Sequence, residues 1–219
     1  MKEFISSKII LLLFFPVLLS AQSKSKSFAA LSAPEKCWVM AHPFVAKKAF
    51  NCTQLARKVT DSLSVNGILK DGNGGQLDAF RHAFWMSLLV QKMSAHKAEK
   101  LGKAHERGNY KDWKKGKEED NSRADSIMCV MDLYNNTTGI EIGKSYAADT
   151  NSSKKSLTET ILLNVRNGKM VMTKKNAEGF FLDVSGRIIV IAEYDGKWFI
   201  PKCIVPSDYK MPNATNEGN

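Results

Sequence analysis

Two histidines, two aspartates, an arginine and two asparagines stand at intervals that let helices aim them at one place. In Gln76-Leu-Asp-Ala-Phe-Arg-His-Ala-Phe-Trp85, Asp78 precedes His82 by four residues, so both fall on one helix face. Between Leu77 and Val90 the only polar side chains are Asp78, Arg81, His82 and Ser87. A helix apolar nearly all round belongs at the centre of a fold. Ionisable groups carried there must be paired or ligated. Further on, His105 shares a stripe with Ala98 and Leu101, while Glu106 falls with Glu99 and Lys103 on a more polar side. Met128, Asp132, Asn135, Gly139 and Ile142 form a third stripe, with Asn136 adjacent.

Two imidazoles and two carboxylates from three helices are the materials of a divalent-metal site, with Asp78, His82, His105 and Asp132 as candidate ligands. A metal held there activates water for hydrolysis. Without a metal, His82 oriented by Asp78, together with His105, supplies acid/base chemistry. The candidate catalytic residues are therefore His82, His105 and Asp78. Arg81 is a candidate oxyanion binder, and Asn135 and Asn136 are candidates for positioning substrate. Two other readings of the same residues stay open. In one the cluster is a buried network that sets helix register, Asp78 pairing with Arg81 or His82. In the other it is the scaffold of a binding module that meets an anionic partner through its lysines. The chain has no H-E-x-x-H, nucleophile elbow or phosphate loop, which weighs against the enzyme.

The elements that must position these groups are mostly helical. Apolar periodicity predicts helix over Pro34–Leu63, in two pieces broken at His42-Pro43, and over about Gln76–Met93 and Ala95–Arg107. Another begins near Ser122 and reaches Asn136 or beyond, and Ser156–Val165 is compatible with helix. Gly108–Asn121 reads as a lysine-rich surface excursion. Its lysines lack the interleaved aromatics of a single-strand nucleic-acid binder, and Trp113 is expected to pack back on the domain. Residues Gly186–Tyr194 and Lys197–Ile200 flank Asp195-Gly196 and predict a β-hairpin. The expected fold is mainly α, a single helical domain with a small C-terminal β-hairpin, over residues 34–206 with a motif core at about 70–146. Trp38, Phe44, Phe50 and Phe84 are expected in the core. Residues 22–33 read as a flexible leader and 207–219 as a disordered tail.

The first residues read differently. Met1-Lys-Glu leads to apolar Ile9–Phe15 and small Ser20-Ala21, the pattern of a secretory signal peptide over 1–21. The expected product is exported, periplasmic or secreted, with no transmembrane segment after cleavage. The net charge of +10 suits an anionic substrate or surface, whether phospholipid, wall polymer or nucleic acid, and also plain solubility. Cys37, Cys52, Cys129 and Cys203 permit two disulfides in an exported chain. Cys37 with Cys52 is the expected pair, because both lie in the N-terminal helical region.

The ordered set Asp78-Ala-Phe-Arg-His-Ala-Phe-Trp85, Ala104-His105-Glu106 and Met131-Asp-Leu-Tyr-Asn-Asn-Thr-Thr-Gly139 resembles an uncharacterised bacterial domain. That domain occurs in exported proteins and at the ends of large toxin-like proteins. The resemblance covers about residues 70–146. It implies that these segments form one site or one core, and it brings no settled activity.

Overall fold

A computed structural model of the chain describes residues 27–117, 123–149 and 155–210. The signal peptide expected over 1–21, the start of the leader and the tail past 210 lie outside the described residues.

Helix α1 (Ala33–Ala41) starts where Ser32 and Glu35 form a reciprocal capping box, and α2 (Pro43–Val65) starts on Pro43, whose fixed φ suits a first turn. Next come α3 (Gln76–Val90), α4 (Ala95–Trp113), α5 (Ser126–Ala148) and α6 (Leu157–Arg166). Asp125 caps α5 by accepting from the Ile127 and Met128 amides, and Ser156 with Glu159 caps α6. Strand β1 (Val171–Thr173) pairs antiparallel with β2 (Ile204–Pro206), Met172 opposite Val205. The fold is mainly α with one two-stranded element near the C-terminus, as the periodicity predicts. Among the described residues no helix is long and apolar enough to cross a membrane.

Helix α3 is the hub. Ala79, Phe80, Ala83, Met86 and Leu89 lose all exposure, and α2, α4, α5 and α6 surround it. Its closest neighbour is α5. A Cβ on Gly139 would stand 2.6 Å from Ala83 Cα, and one on Gly143 would stand 2.7 Å from Ser87 Cα. Real Cβ atoms do not approach that closely, so the two glycines set the helix spacing. Ser87 Oγ closes the seam by donating to the Gly139 carbonyl at 2.7 Å.

The structure departs from the expectations at several places. The hairpin does not form around Asp195-Gly196. The turn is there, with Gly196 at φ 71°, but Ile191–Tyr194 winds into a 3-10 turn and Trp198 is drawn onto α4 by ring contacts with Tyr110 and Trp113. Helix α4 runs through Gly108 instead of ending before it. Gly108 is buried because the Ser32 side chain occupies the space a Cβ would fill. Of the expected core aromatics Trp38 and Phe84 are buried, but Phe44 is 95% exposed and Phe50 is 42% exposed. The buried stripe of α2 is Ala49, Cys52, Ala56, Thr60 and Leu63, which turns those two rings outward.

Two further corrections concern the cysteines and the chain ends. All four cysteines are free thiols, and the expected Cys37–Cys52 bridge is not made: Cys37 is exposed on α1 while Cys52 is buried on α2. The leader is helical at Ser27–Ala30 and is tied down where Lys36 Nζ donates to the Ala29 carbonyl at 2.8 Å. The tail's first residue, Ser207, is fully buried and donates to the Val165 carbonyl at 2.7 Å.

Placing a side chain in the α3–α5 seam should separate the helices. Gly139→Leu is expected to lower stability by about 1–3 kcal/mol or more, read by chemical denaturation. Wild-type stability in that variant would contradict the close packing described here.

Candidate metal centre

Helix α3 delivers Asp78, Arg81 and His82, and α5 delivers Asp132 and Asn136. Asp78, His82 and Asp132 are all buried, at 3%, 3% and 6% exposure. Asp78 is held from two sides. Its Oδ2 accepts the Gly74 amide at 2.8 Å and its Oδ1 accepts Arg81 Nη2 at 2.6 Å. Burial alone would push its pKa up. The Arg81 charge, His82 and the Gly74 hydrogen bond outweigh that, so the carboxyl lies below its ordinary value.

His82 meets both aspartates with one nitrogen. Nε2 is 3.5 Å from Asp78 Oδ1 and 3.4 Å from Asp132 Oδ1. Its other nitrogen, Nδ1, is 3.3 Å from Asn136 Oδ1. Burial drives its pKa down to about 3, although Asp78 pulls the other way, so the ring is neutral at pH 7. An amide oxygen beside Nδ1 calls for the proton there. The lone pair of Nε2 then faces two carboxylate oxygens and, at 3.5 Å, the Arg81 guanidinium. One donor atom from each of Asp78, His82 and Asp132 lies within 4.8 Å of the others. The cleft over them, which His105 also lines, holds about 30 Å³, room for an ion and one or two waters.

The fourth expected ligand stands apart. His105 is 6.1 Å from His82 ring to ring. Its Nδ1 is 3.1 Å from Glu35 Oε1, and its ring meets Trp85 edge-on with centroids 5.7 Å apart. Burial would raise the Glu35 pKa, but His105 and the Ser32 hydrogen bonds hold it near 2. Arg81 reaches from the buried cluster toward solvent, its side chain 27% exposed. Asn136 faces His82, whereas Asn135 faces the other way. Its amide donates to the Val171 carbonyl and accepts the Val171 amide, both at 2.9 Å, extending β1 by a side chain.

Sequence reasoning missed several participants. Glu35 is legible as half of a capping box, but its second oxygen serves a histidine 70 residues away. Glu106 reads as lying on a polar side, yet it is 5% exposed because α4 continues past it against α5. Cys129 lies in the cleft, and burial together with Glu106 pushes its thiol up, which keeps it protonated and a poor nucleophile. The C-terminal segment contributes too. Thr173 donates from its amide and hydroxyl to the Gly74 carbonyl at 2.7 and 2.8 Å, and Lys175 Nζ donates to Asp71 Oδ1 and the Asn73 carbonyl, each at 2.7 Å. Lys202 pairs with Asp125 at 2.7 Å with both side chains buried. These contacts fix the loop before Asp78 and the start of the helix that carries Asp132.

The Glu35–His105 pair should be visible in acid. A carboxyl held near 2 in the fold against an ordinary 4.5 stabilises the protein fully above that ordinary value. The contribution is lost as pH falls through the folded pKa. The stability advantage of wild type over Glu35→Gln should therefore shrink between pH 5 and 2. An advantage that does not change across this window would contradict the pair.

No curated protein and no solved structure matches the chain. Residues 36–169 match the family described as a domain of unknown function, DUF6973. The match spans the helices of the cluster and Asp78, His82, His105 and Asp132, and it ends just before β1. On that match, the chain belongs to the DUF6973 family.

Proposed function

We propose that Asp78, His82 and Asp132 hold a divalent cation, and that the domain is a metal-assisted hydrolase of an anionic substrate. The observation that carries this reading is the neutral imidazole of His82, whose Nε2 faces Asp78 and Asp132 at 3.5 and 3.4 Å while Nδ1 faces an amide oxygen. Arg81 Nη2, paired with Asp78 and 3.5 Å from His82 Nε2, offsets one of the two carboxylates, and a cation between the three donor atoms would offset the other and turn repulsion into ligation. The spacing suits one. Ligands about 2.1 Å from a tetrahedral ion lie roughly 3.4 Å apart. Mixed imidazole and carboxylate donors fit zinc, manganese or ferrous iron better than calcium, and three protein ligands leave a position for water.

The surroundings fit hydrolysis. His105, oriented by Glu35, lines the same cleft and has the arrangement of a general base. Arg81 and Arg123 line the cleft as well and would receive the negative charge of the substrate. The signal-like first residues support export, where the substrate would be an anionic envelope polymer or nucleic acid.

One observation favours a second reading. Asn136 Nδ2 is buried with no hydrogen-bond partner among the described residues. With that amide reversed, its N–H would donate to Nδ1, and Nε2–H would be shared between the aspartates as a closed network without a cation.

Calorimetric titration of Zn²⁺ and Mn²⁺ into metal-stripped protein separates the two. The hydrolase reading expects one equivalent bound, and a loss of at least tenfold in affinity in His82→Gln and in Asp132→Asn. It also expects the metal-free Asp132→Asn protein to be as stable as wild type or more so, because a carboxylate facing another is removed. No binding by the parent, with both variants destabilised by about 3–5 kcal/mol, would establish the network instead.

A further inference from the structure

Beside the cluster lies a group of aromatic rings that the core does not use. Tyr110 and Trp113, at the end of α4, stack with centroids 5.8 Å apart and planes at 15°. Trp198, from the segment before β2, inclines against both, 5.0 Å from Tyr110 and 5.2 Å from Trp113. The Lys114 ammonium stands 4.5 Å over the Tyr110 ring. A solvent-open cavity of about 480 Å³ is bounded by Trp113, Lys114, Gly116, Arg123 and Gly196. It is an open hollow, whereas the cleft over the cluster is ion-sized. Arg123 borders both spaces, so it links the ring wall to Asp78, His82 and Asp132.

We propose that this groove binds one nucleotide unit of a single-stranded nucleic acid, with the base stacked on Trp113, which the Trp198 and Tyr110 rings brace, and a backbone phosphate at Arg123, where the groove meets the cluster cleft. The inference rests on the hydrolase reading for its direction, toward the cluster. The occupant follows from what the walls offer. Flat aromatic faces and cations alternate over a short distance, and a nucleic-acid strand alternates bases and phosphates in the same way. A neutral glycan would use the rings and leave Arg123 and Lys114 idle. A phospholipid headgroup would use the cations and leave the rings idle. The net charge of +10 adds long-range attraction for a polyanion. Arg123 pairs with Asp195 at 2.8 Å, with the two side chains 45% and 81% exposed. An exposed pair of this kind is weak, so a phosphate can displace Asp195. The lysine run reads as lacking aromatics only along the chain; Trp198 arrives from far downstream to brace Trp113 by ring contact. Stacking tolerates any base, so little sequence preference is expected.

The test is titration of the protein with a short oligothymidylate in the presence of a metal chelator, followed by tryptophan fluorescence and by anisotropy of a labelled strand. Saturable quenching is expected. Trp113→Leu should weaken binding roughly tenfold, Trp198→Leu should weaken it less, and Trp113→Phe should retain most of it. Arg123→Gln should weaken binding and lower the slope of log affinity against log salt by about one. Thermal melts check the fold, and if a leucine variant does not fold, the Trp113→Phe and Arg123→Gln arms decide. Absence of saturable binding overturns the proposal. So does equal binding by every variant, which would mark diffuse attraction to surface lysines, and so does tighter capture of an oligosaccharide. Because the chelator removes any cation, strand binding survives a failure of the metal reading. Metal binding without strand binding overturns the groove alone.

Discussion

One imidazole between two carboxylates organises this domain. His82 puts Nε2 within 3.5 Å of both Asp78 and Asp132, in an interior where an uncompensated charge is costly. That arrangement requires α3 and α5 to lie almost in contact, and Gly139 and Gly143 are the residues that permit it. It requires Asp78 to stay ionised, and the Arg81 guanidinium with the Gly74 amide keeps it so. It also requires His82 to stay neutral, which burial ensures. The result is a buried point where two carboxylates meet one guanidinium, and a bound cation is the simplest group that would balance the second carboxylate.

The parts that hold this point come from two regions of different standing. The helices that carry the cluster lie within the family match, residues 36–169. The segment beyond it braces them. Thr173 and Lys175 secure the loop before α3, and Asn135 reaches from α5 to the edge of β1. Lys202 neutralises Asp125 at the start of α5, with its ammonium 3.8 Å over the Phe181 ring. A buried ion pair of this kind contributes little net stability but is costly to break, so its effect is to hold the end of α5 in one place. Trp198 belongs to the same segment, and its carbonyl accepts the Ser126 amide at 2.9 Å. The bracing segment therefore also supports the rings of Tyr110 and Trp113.

Much of this was legible in the sequence. Asp78 and His82 lie four apart in an apolar run, and a period of 3.6 puts them on one inward face. Asp132 follows by the same rule, and the convergence of the three on one buried point is what the structure shows. The break at His42-Pro43 was legible because proline marks a first turn. Periodicity could not separate Asn135 from Asn136, since adjacent residues of an inward stripe look alike; only the position of β1 distinguishes them. Glu106 reads as polar-facing because its burial comes from α4 running on through Gly108, where the side chain of Ser32, 76 residues earlier in the chain, fills the space a Cβ would take. The Asp195-Gly196 turn formed as its residues demand, but a turn does not dictate its flanks. Contacts of Trp198 with α4 decided those. The free thiols show the limit of counting cysteines, because pairing depends on faces that an even number does not reveal.

The central claim is that Asp78, His82 and Asp132 share a cation, and the most direct measurement is a crystal structure of the manganese-soaked or zinc-soaked protein with data collected at the metal's absorption edge. The account predicts one anomalous peak roughly 2.0–2.2 Å from His82 Nε2 and from an oxygen of each aspartate. It predicts the Asn136 oxygen on the Nδ1 side of the ring. A site without anomalous density, with His82 Nε2 drawn into hydrogen-bond range of a carboxylate and the Asn136 amide reversed, would contradict it.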